Sequence, residues 1–316
     1  MKAVFKKAIV FIVFISSTWI LPQKVSAQQT VNFQVFYDNL SPYGAWIDNP
    51  TYGYVWMPNV AAGFVPYATN GYWGYTDAGW TWISDYQWGW AVFHYGRWFS
   101  DPKYGPMWIP GNDWAPGWVT WRSSANYYGW APLGPDGSDY NVPHNQWKFV
   151  KNGDLGKTNL INFYVAASNN AMIIKNSKVV NNNLPDKTRN ATYNGGPDRF
   201  EVEKHIGKEI TRFSIKEDSI PGQNLNDNML RMYRPMIQNN SAAQTKPAPE
   251  KVTNINDLQL MVPEQKVSPE RHGAGPVKQK AQTSDTNHLT KAPSQPIQEQ
   301  PAAPTNTGNG DLHINL

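Results

Sequence analysis

The residues best suited to chemistry are aromatic rings set beside carboxylates. Trp80, Trp82, Asp85, Trp88 and Trp90 form the densest group, and Trp108, Asp113, Trp114, Trp118 and Trp121 form a second. Flat indoles pack on the C–H faces of sugars, and carboxylates accept hydrogen bonds from sugar hydroxyls. These residues are therefore the candidate ligand-binding set, with a cell-wall glycan or another envelope polymer as the ligand. The same rings suit a quaternary ammonium or a peptide through cation–π contacts. The plainer alternative is that the tryptophans are the core. Residues 31–140 hold 13 Trp, 13 Tyr and five Phe against 12 Val, Ile and Leu, an inversion of the usual aliphatic core. Each such ring carries about 150–250 Å² to bury. So many rings in so short a stretch predict some at the surface, where aromatic patches mark interaction sites.

Catalysis has less to build on. A glycosidase needs two facing carboxylates, but Asp48, Asp77 and Asp101 sit in turn contexts. His94, between Phe93 and Tyr95, reads as a packed strand residue. Six scattered histidines and no cysteine provide no metal-ligand spacing. No nucleophile elbow, phosphate loop or dinucleotide fingerprint occurs. The sequence therefore implies no enzyme, no cofactor and no metal. Aromatic stacking also suits single-stranded nucleic acid. However, residues 31–140 carry eight acids and three bases, net −5, which argues against that partner. Residues 141–316 carry 16 acids and 21 bases, net +5, so the two halves attract weakly and in a salt-dependent way.

The elements that must position these residues are repeated. Tyr43–Pro58 aligns without a gap on Tyr95–Pro110, with eight of 16 positions identical, among them Tyr43/Tyr95, Gly44/Gly96, Trp46/Trp98 and Trp56/Trp108. A shorter copy, Gly71–Ile83, lies between them. Each copy reads as a β-hairpin. Asn49-Pro50 and Asp101-Pro102 place a turn-initiating side chain before a proline at i+1, with Gly53 or Gly105 just beyond. Thr76-Asp77-Ala78-Gly79 suits a type I turn with a glycine bulge. Trp46 and Trp56 are expected to pair across their hairpin, as are Trp98 and Trp108. A lone hairpin is marginal in water, so the copies must stack or close.

Around this unit the chain divides by composition. Lys2, Lys6 and Lys7, the uncharged run Ala8–Leu21 and Val25-Ser26-Ala27 read as a secretory signal peptide over 1–27. The run is short for a membrane span, no other stretch could cross a bilayer, and no cysteine follows for a lipoprotein anchor. The expected location is therefore outside the cytoplasm, in the periplasm or at the cell surface. Val31, Phe33, Val35 and Tyr37 alternate as in a strand. The predicted fold class is mainly β. An aromatic β-repeat domain occupies 28–135 and forms a compact β-domain of hairpins. After a linker over 133–146, a small α+β region covers 147–235. Within it, strands are expected at Asn162–Ala166, Met172–Val180, Ile210–Ile215 and Met229–Tyr233. A helix is expected to begin near Asp198 and to end at Gly207. From 236 to 316 the Pro-, Gln- and Asn-rich composition predicts a disordered tail with two apolar patches, Leu258–Val262 and Leu312–Leu316.

The order SPYGAWIDNPTYGYVWMP, NGYWGYTDAGWTWISDYQWGWAVFHYGRW, YGPMWIPGNDWAPGWVTWR, YYGWAPLGP resembles a family of uncharacterised exported bacterial proteins with Trp-Tyr-Gly repeats, often labelled proline-rich exported proteins. The likeness is dense over about 35–135 and continues more weakly to about 235. It implies a signal peptide and an envelope location, and it brings no catalytic residues. Gly71–Ile83 is also similar to one aromatic hairpin of choline-binding modules, too short a match to carry a site. The preferred expectation is a non-enzymatic envelope protein that binds glycan through its aromatic repeats. The alternative is a structural scaffold or assembly protein with a protein partner and a purely packed aromatic core.

Overall fold

Four hairpins carry the aromatic half of the chain, and each is closed by one cross-strand tryptophan pair. In the computed structural model, residues 30–138, 142–186, 189, 191–238 and 246–260 are described. The expected signal peptide and the Leu312–Leu316 patch lie outside them. The chain enters through β1 (Thr30–Val31) and helix α1 (Gln34–Leu40). Hairpins β2–β3 (Gly44–Asn49, Gly53–Pro58) and β4–β5 (Gly71–Thr76, Gly79–Ser84) follow. A short helix α2 (Gly89–Val92) leads to β6–β7 (Arg97–Asp101, Gly105–Ile109) and then β8–β9 (Val119–Ser123, Tyr127–Pro132). The pairs are Trp46↔Trp56, Trp73↔Trp82, Trp98↔Trp108 and Trp121↔Trp130. Each such aromatic pair contributes roughly 0.2–1 kcal/mol relative to an alanine pair.

The turns follow from their sequences. The Asn49 side chain accepts the N–H groups of Thr51 (2.9 Å) and Tyr52 (3.0 Å). The Asp101 carboxylate likewise accepts those of Lys103 (2.8 Å) and Tyr104 (2.9 Å). Gly53 (φ 69°) and Gly105 (φ 85°) then take the left-handed conformation that a side chain resists. The Tyr-Gly at the head of each full repeat has a second cause, which for Gly96 adds to its own left-handed backbone (φ 65°). A Cβ on Gly44 or Gly96 would run into the carbonyl of Met57 or Ile109 on the facing strand.

The repeated unit of the two full copies is larger than a hairpin, because a helix precedes each of them. The strand expected over Val31–Tyr37 is instead β1 followed by α1, whose buried residues are Phe36, Tyr37 and Leu40. Alternation over so few residues does not separate the two periods, and tertiary contacts decide. The indole N–H of Trp46 donates to the Tyr37 carbonyl (3.2 Å) and that of Trp56 to the Leu40 carbonyl (3.1 Å). These are carbonyls that a helix end leaves without intrahelical donors. In the second copy Trp98 donates to the Val92 carbonyl at the end of α2 (2.9 Å), and Trp108 to the Tyr95 carbonyl (2.7 Å).

The two full copies form one sheet in the order β2-β3-β7-β6. Across its middle Trp56 pairs with Trp108, so equivalent residues face each other about a local two-fold axis. The tryptophans point to the inner side and join the main core. Ile47, Val55 and Met107 point to the outer side and form a separate apolar cluster.

The rest of the chain packs on this head through β10 (Lys148–Lys151), helix α3 (Asn170–Lys175), β11 (Lys178–Val179), β12–β13 (Asn183–Asp186, Ala191–Asn194) and helix α4 (Arg199–Ile206). Strands β14 (Arg212–Asp218), β15–β16 (Gln223–Asn226, Met229–Tyr233) and β17 (Met236–Ile237) follow. A five-stranded sheet of order β15-β16-β14-β4-β5 joins β14 in parallel to the aromatic hairpin β4–β5. Strands β10 and β11 flank β9 and β8, and β17 runs parallel to β1. Residues from both sides of the 133–146 linker therefore share one core. The expected helix is present: Asp198 accepts the Glu201 N–H (3.0 Å) at its start, and Gly207 donates to Glu203 (2.9 Å) at its end. The strands expected near Ile210–Ile215 and at Met229–Tyr233 are β14 and β16.

Two expected strands are not formed as such. Leu160–Phe163 is a 3-10 turn, and Met172 lies in α3, with pairing confined to Lys178–Val179. There the buried Asn170 side chain holds the carbonyls of His144 (2.8 Å) and Trp147 (2.9 Å), which anchors a helical start ahead of the β-prone Ile173-Ile174. The tail expected to be disordered from 236 is also ordered in part. Thr253 donates to the Trp46 carbonyl (2.7 Å) at the free edge of β2, and Leu258 is completely buried against the outer apolar cluster.

Candidate functional site

The two sequence clusters meet inside the protein rather than on it. Trp82, Trp108, Trp114 and Trp121 are 0% exposed, and Trp118, the most exposed of the eight candidate tryptophans, reaches only 8%. Trp80 is held from below the surface, its indole donating to the Pro197 carbonyl (3.0 Å). Trp82 meets Trp73 edge-on at 5.2 Å, and Trp121 lies 4.6 Å from Trp73. Trp88 stacks on Tyr86 at 4.2 Å, and Trp90 meets Tyr233 at 5.0 Å. Of the candidate set only Asp85 and Asp113 are exposed. No indole face in these clusters is open to a sugar ring. Composition overestimated the exposed share because residues 147–235 cover rings that the hairpins alone would leave bare.

Trp114 sits in the most unusual surroundings. The His94 ring stacks on it at 5.6 Å, and the Arg234 guanidinium lies 3.7 Å from its centre. His94 is fully buried, with Nδ1 donating to the Ala115 carbonyl (2.9 Å). Burial pushes its pKa down to about 4, so the imidazole is neutral. Arg234 is part of a charged network that also contains Asp186, Arg189 and Glu217. Arg189 bonds Asp186 (3.3 Å) and Glu217 (2.6 Å), and Arg234 lies 3.4 Å from Asp186. This network pins β12 and β14 to the segment after β16. Its ion pairs tie these three parts of the chain together.

The hollow that carries charge lies where β6 begins. A cleft of about 250 Å³ is lined by Arg97, Asp113, Asp136 and the chain around Pro110–Gly111. The Arg97 guanidinium lies 3.6 Å from the centre of the Trp118 ring and donates to the Gly96 carbonyl (2.8 Å). Its burial lowers its pKa, yet a guanidinium stays protonated in proteins. The Ser138 N–H (3.0 Å) and hydroxyl (2.9 Å) donate to Asp136 and hold its carboxyl below the usual carboxylate range. A carboxylate stabilised in this way is a counter-ion or a base. A second hollow, of about 320 Å³, is lined by Tyr127, Lys151, Asn152 and His205. There the Asn152 amide bonds the Ala125 carbonyl (2.8 Å) and closes the β8–β9 turn onto α4.

Sequence reasoning did not single out Arg97, Asp136 or the β6 edge. The signal available was Arg97 itself, one of only three bases in residues 31–140 and the residue directly after the repeated Tyr-Gly. Among the described residues no three His, Asp or Glu side chains converge as a metal site would require. Among them, too, no helix is long and apolar enough to cross a membrane.

A family model described as a family of unknown function (DUF6600) matches residues 37–137. The match spans all four tryptophan-paired hairpins and ends in the loop that lines the Arg97 cleft. No curated protein and no solved structure matches the chain.

Proposed function

We propose that this protein is a non-enzymatic, exported scaffold or assembly protein of the cell envelope. Its aromatic repeats build a disulfide-free core, and its function is exerted by contact with a protein partner. The observation that carries this reading is the burial of all eight candidate tryptophans. A glycan-binding face needs open rings, whereas an exported fold without cysteine needs a large apolar payload. The residues 1–27 and the resemblance to exported proteins with Trp-Tyr-Gly repeats support the location.

The test is in-cell crosslinking of the full-length protein, followed by affinity capture from envelope fractions and retention assays on purified wall polysaccharide. A specific crosslinked protein with no polysaccharide retention is the expected result. Retention on the polysaccharide without any crosslinked protein would sink the scaffold reading and restore the glycan one.

A further inference from the structure

The local two-fold of the repeat sheet gives it two equivalent edges, and the described residues cover only one. On the first edge, β2, residues 253–258 act as a strap. Thr253 pairs in parallel with Ile47, its N–H donating to the Trp46 carbonyl (2.7 Å). The chain then turns through the 3-10 segment Ile255–Leu260 and lays Leu258 on the outer face. Ile47 beneath it is completely buried.

The second edge is β6. Trp98 holds the register on Trp108 that Trp46 holds on Trp56, so its carbonyl and that of Trp46 are equivalent and both point away from the sheet. Among the described residues β6 pairs only with β7. Phe99, the counterpart of Ile47, remains partly exposed with the Tyr52 ring 5.1 Å away. The Arg97–Asp136 cleft opens at the head of this edge, where an incoming segment would start. An unpaired strand edge beside an apolar face is a template for an added strand.

The strap indicates what such a segment must contain, and the chain holds a second copy of that pattern. Thr253, Asp257 and Leu258 recur at identical spacing as Thr307, Asp311 and Leu312, and Leu260 recurs as Ile314. The repeated residues include Thr253, whose N–H pairs with the sheet edge, and Leu258, which fills the outer face.

We propose that the β6 edge is a second strap site and that its occupant is the Thr307–Ile314 segment of another copy of this chain. Residues 31–140 carry a net charge of −5 (three bases, eight acids), and residues 141–316 carry +5 (21 bases, 16 acids). That +5 lies in residues 141–235; residues 261–316, which would deliver the segment, carry five acids and five bases, so the contact between copies rests on strand pairing and the leucine rather than on charge. Such a contact is heterologous, so it propagates into rings or filaments. This specifies a partner for the scaffold reading and rests on it only for its purpose.

The experiment is sedimentation velocity on the full-length mature chain over a range of concentrations, repeated with Leu312→Asp, with Phe99→Asp, and with excess synthetic peptide spanning Thr307–Leu316. Ser100→Pro is the additional variant. It removes an exposed edge N–H without touching the core, and circular dichroism checks that it folds. The expected result is association that rises with protein concentration. Each substitution weakens it by ~10-fold or more, the loss of one buried leucine or one edge bond, and the free peptide competes it away. A chain that stays monomeric at every concentration overturns the proposal, as does association that Leu312→Asp and the peptide leave intact. Either result leaves the crosslinking of a different envelope protein unaffected, so the two ideas fail separately.

Discussion

The hairpins β2–β3 and β6–β7 have the same register, the same side-chain-closed turn and the same indole bonds to a preceding helical segment. They differ in what lies on their outer side. Leu258 seals Ile47 in the first, while Phe99 in the second stays partly open. They differ also in the residue before the repeated tyrosine, which is Pro42 in one copy and the buried His94 in the other. Duplication reproduced the inner, tryptophan-bearing face faithfully, because those side chains touch one another across the two-fold. Outer and flanking positions were free to diverge, since each meets a different part of the chain.

Several measurements sharpen this comparison, and the tryptophans give the largest effect. Trp56→Ala and Trp108→Ala each remove a fully buried indole and its hydrogen bond, so each should cost about 3–5 kcal/mol in urea denaturation. Costs that differ by more than about 2 kcal/mol would break the equivalence of the two copies. Next come the outer faces. Leu258→Ala should cost about 3 kcal/mol, and Phe99→Ala, at a partly exposed site, under about 1 kcal/mol. Equal losses would mean that the second edge is covered too.

Acid sensitivity should belong to the second copy alone. His94 has an ordinary pKa of 6.5 in the unfolded chain and about 4 in the fold. Between those values the unfolded state binds more protons, so stability rises with pH across the window and is lost as pH falls through it. The loss should reach about 3 kcal/mol by pH 4. His94→Gln should flatten that part of the pH–stability curve, and an unchanged slope would remove His94 as its cause. The turns also give a small effect. Asn49→Ala and Asp101→Ala each delete paired hydrogen bonds at an exposed turn and should cost about 1 kcal/mol apiece.

Much of this protein was legible in its sequence because its information is local. The Asn-Pro and Asp-Pro turns and the two glycines beyond them depend on neighbours a few residues away. So do the Asp198 cap and the Gly207 stop of α4. The match of Tyr43–Pro58 to Tyr95–Pro110 revealed the duplication without any structure. Helix α1 was not legible, since its carbonyls take their donors from Trp46 and Trp56 on a later hairpin. The fate of the candidate tryptophans was not legible either. Trp80 is closed in by Pro197, Trp90 by Tyr233, and Trp114 by Arg234, all more than a hundred residues away.

Composition and spacing were thus enough to establish a β-rich, cysteine-free head of duplicated aromatic hairpins with glycine where the backbone demands it. Whether those aromatics form a binding face or a core depended on long-range burial, which residues beyond the repeats supply. The same distance dependence explains Leu258. The apolar patch Leu258–Val262 marks the segment but not what it packs on, and only the apolar outer face of a sheet made from two distant repeats provides a place for Leu258.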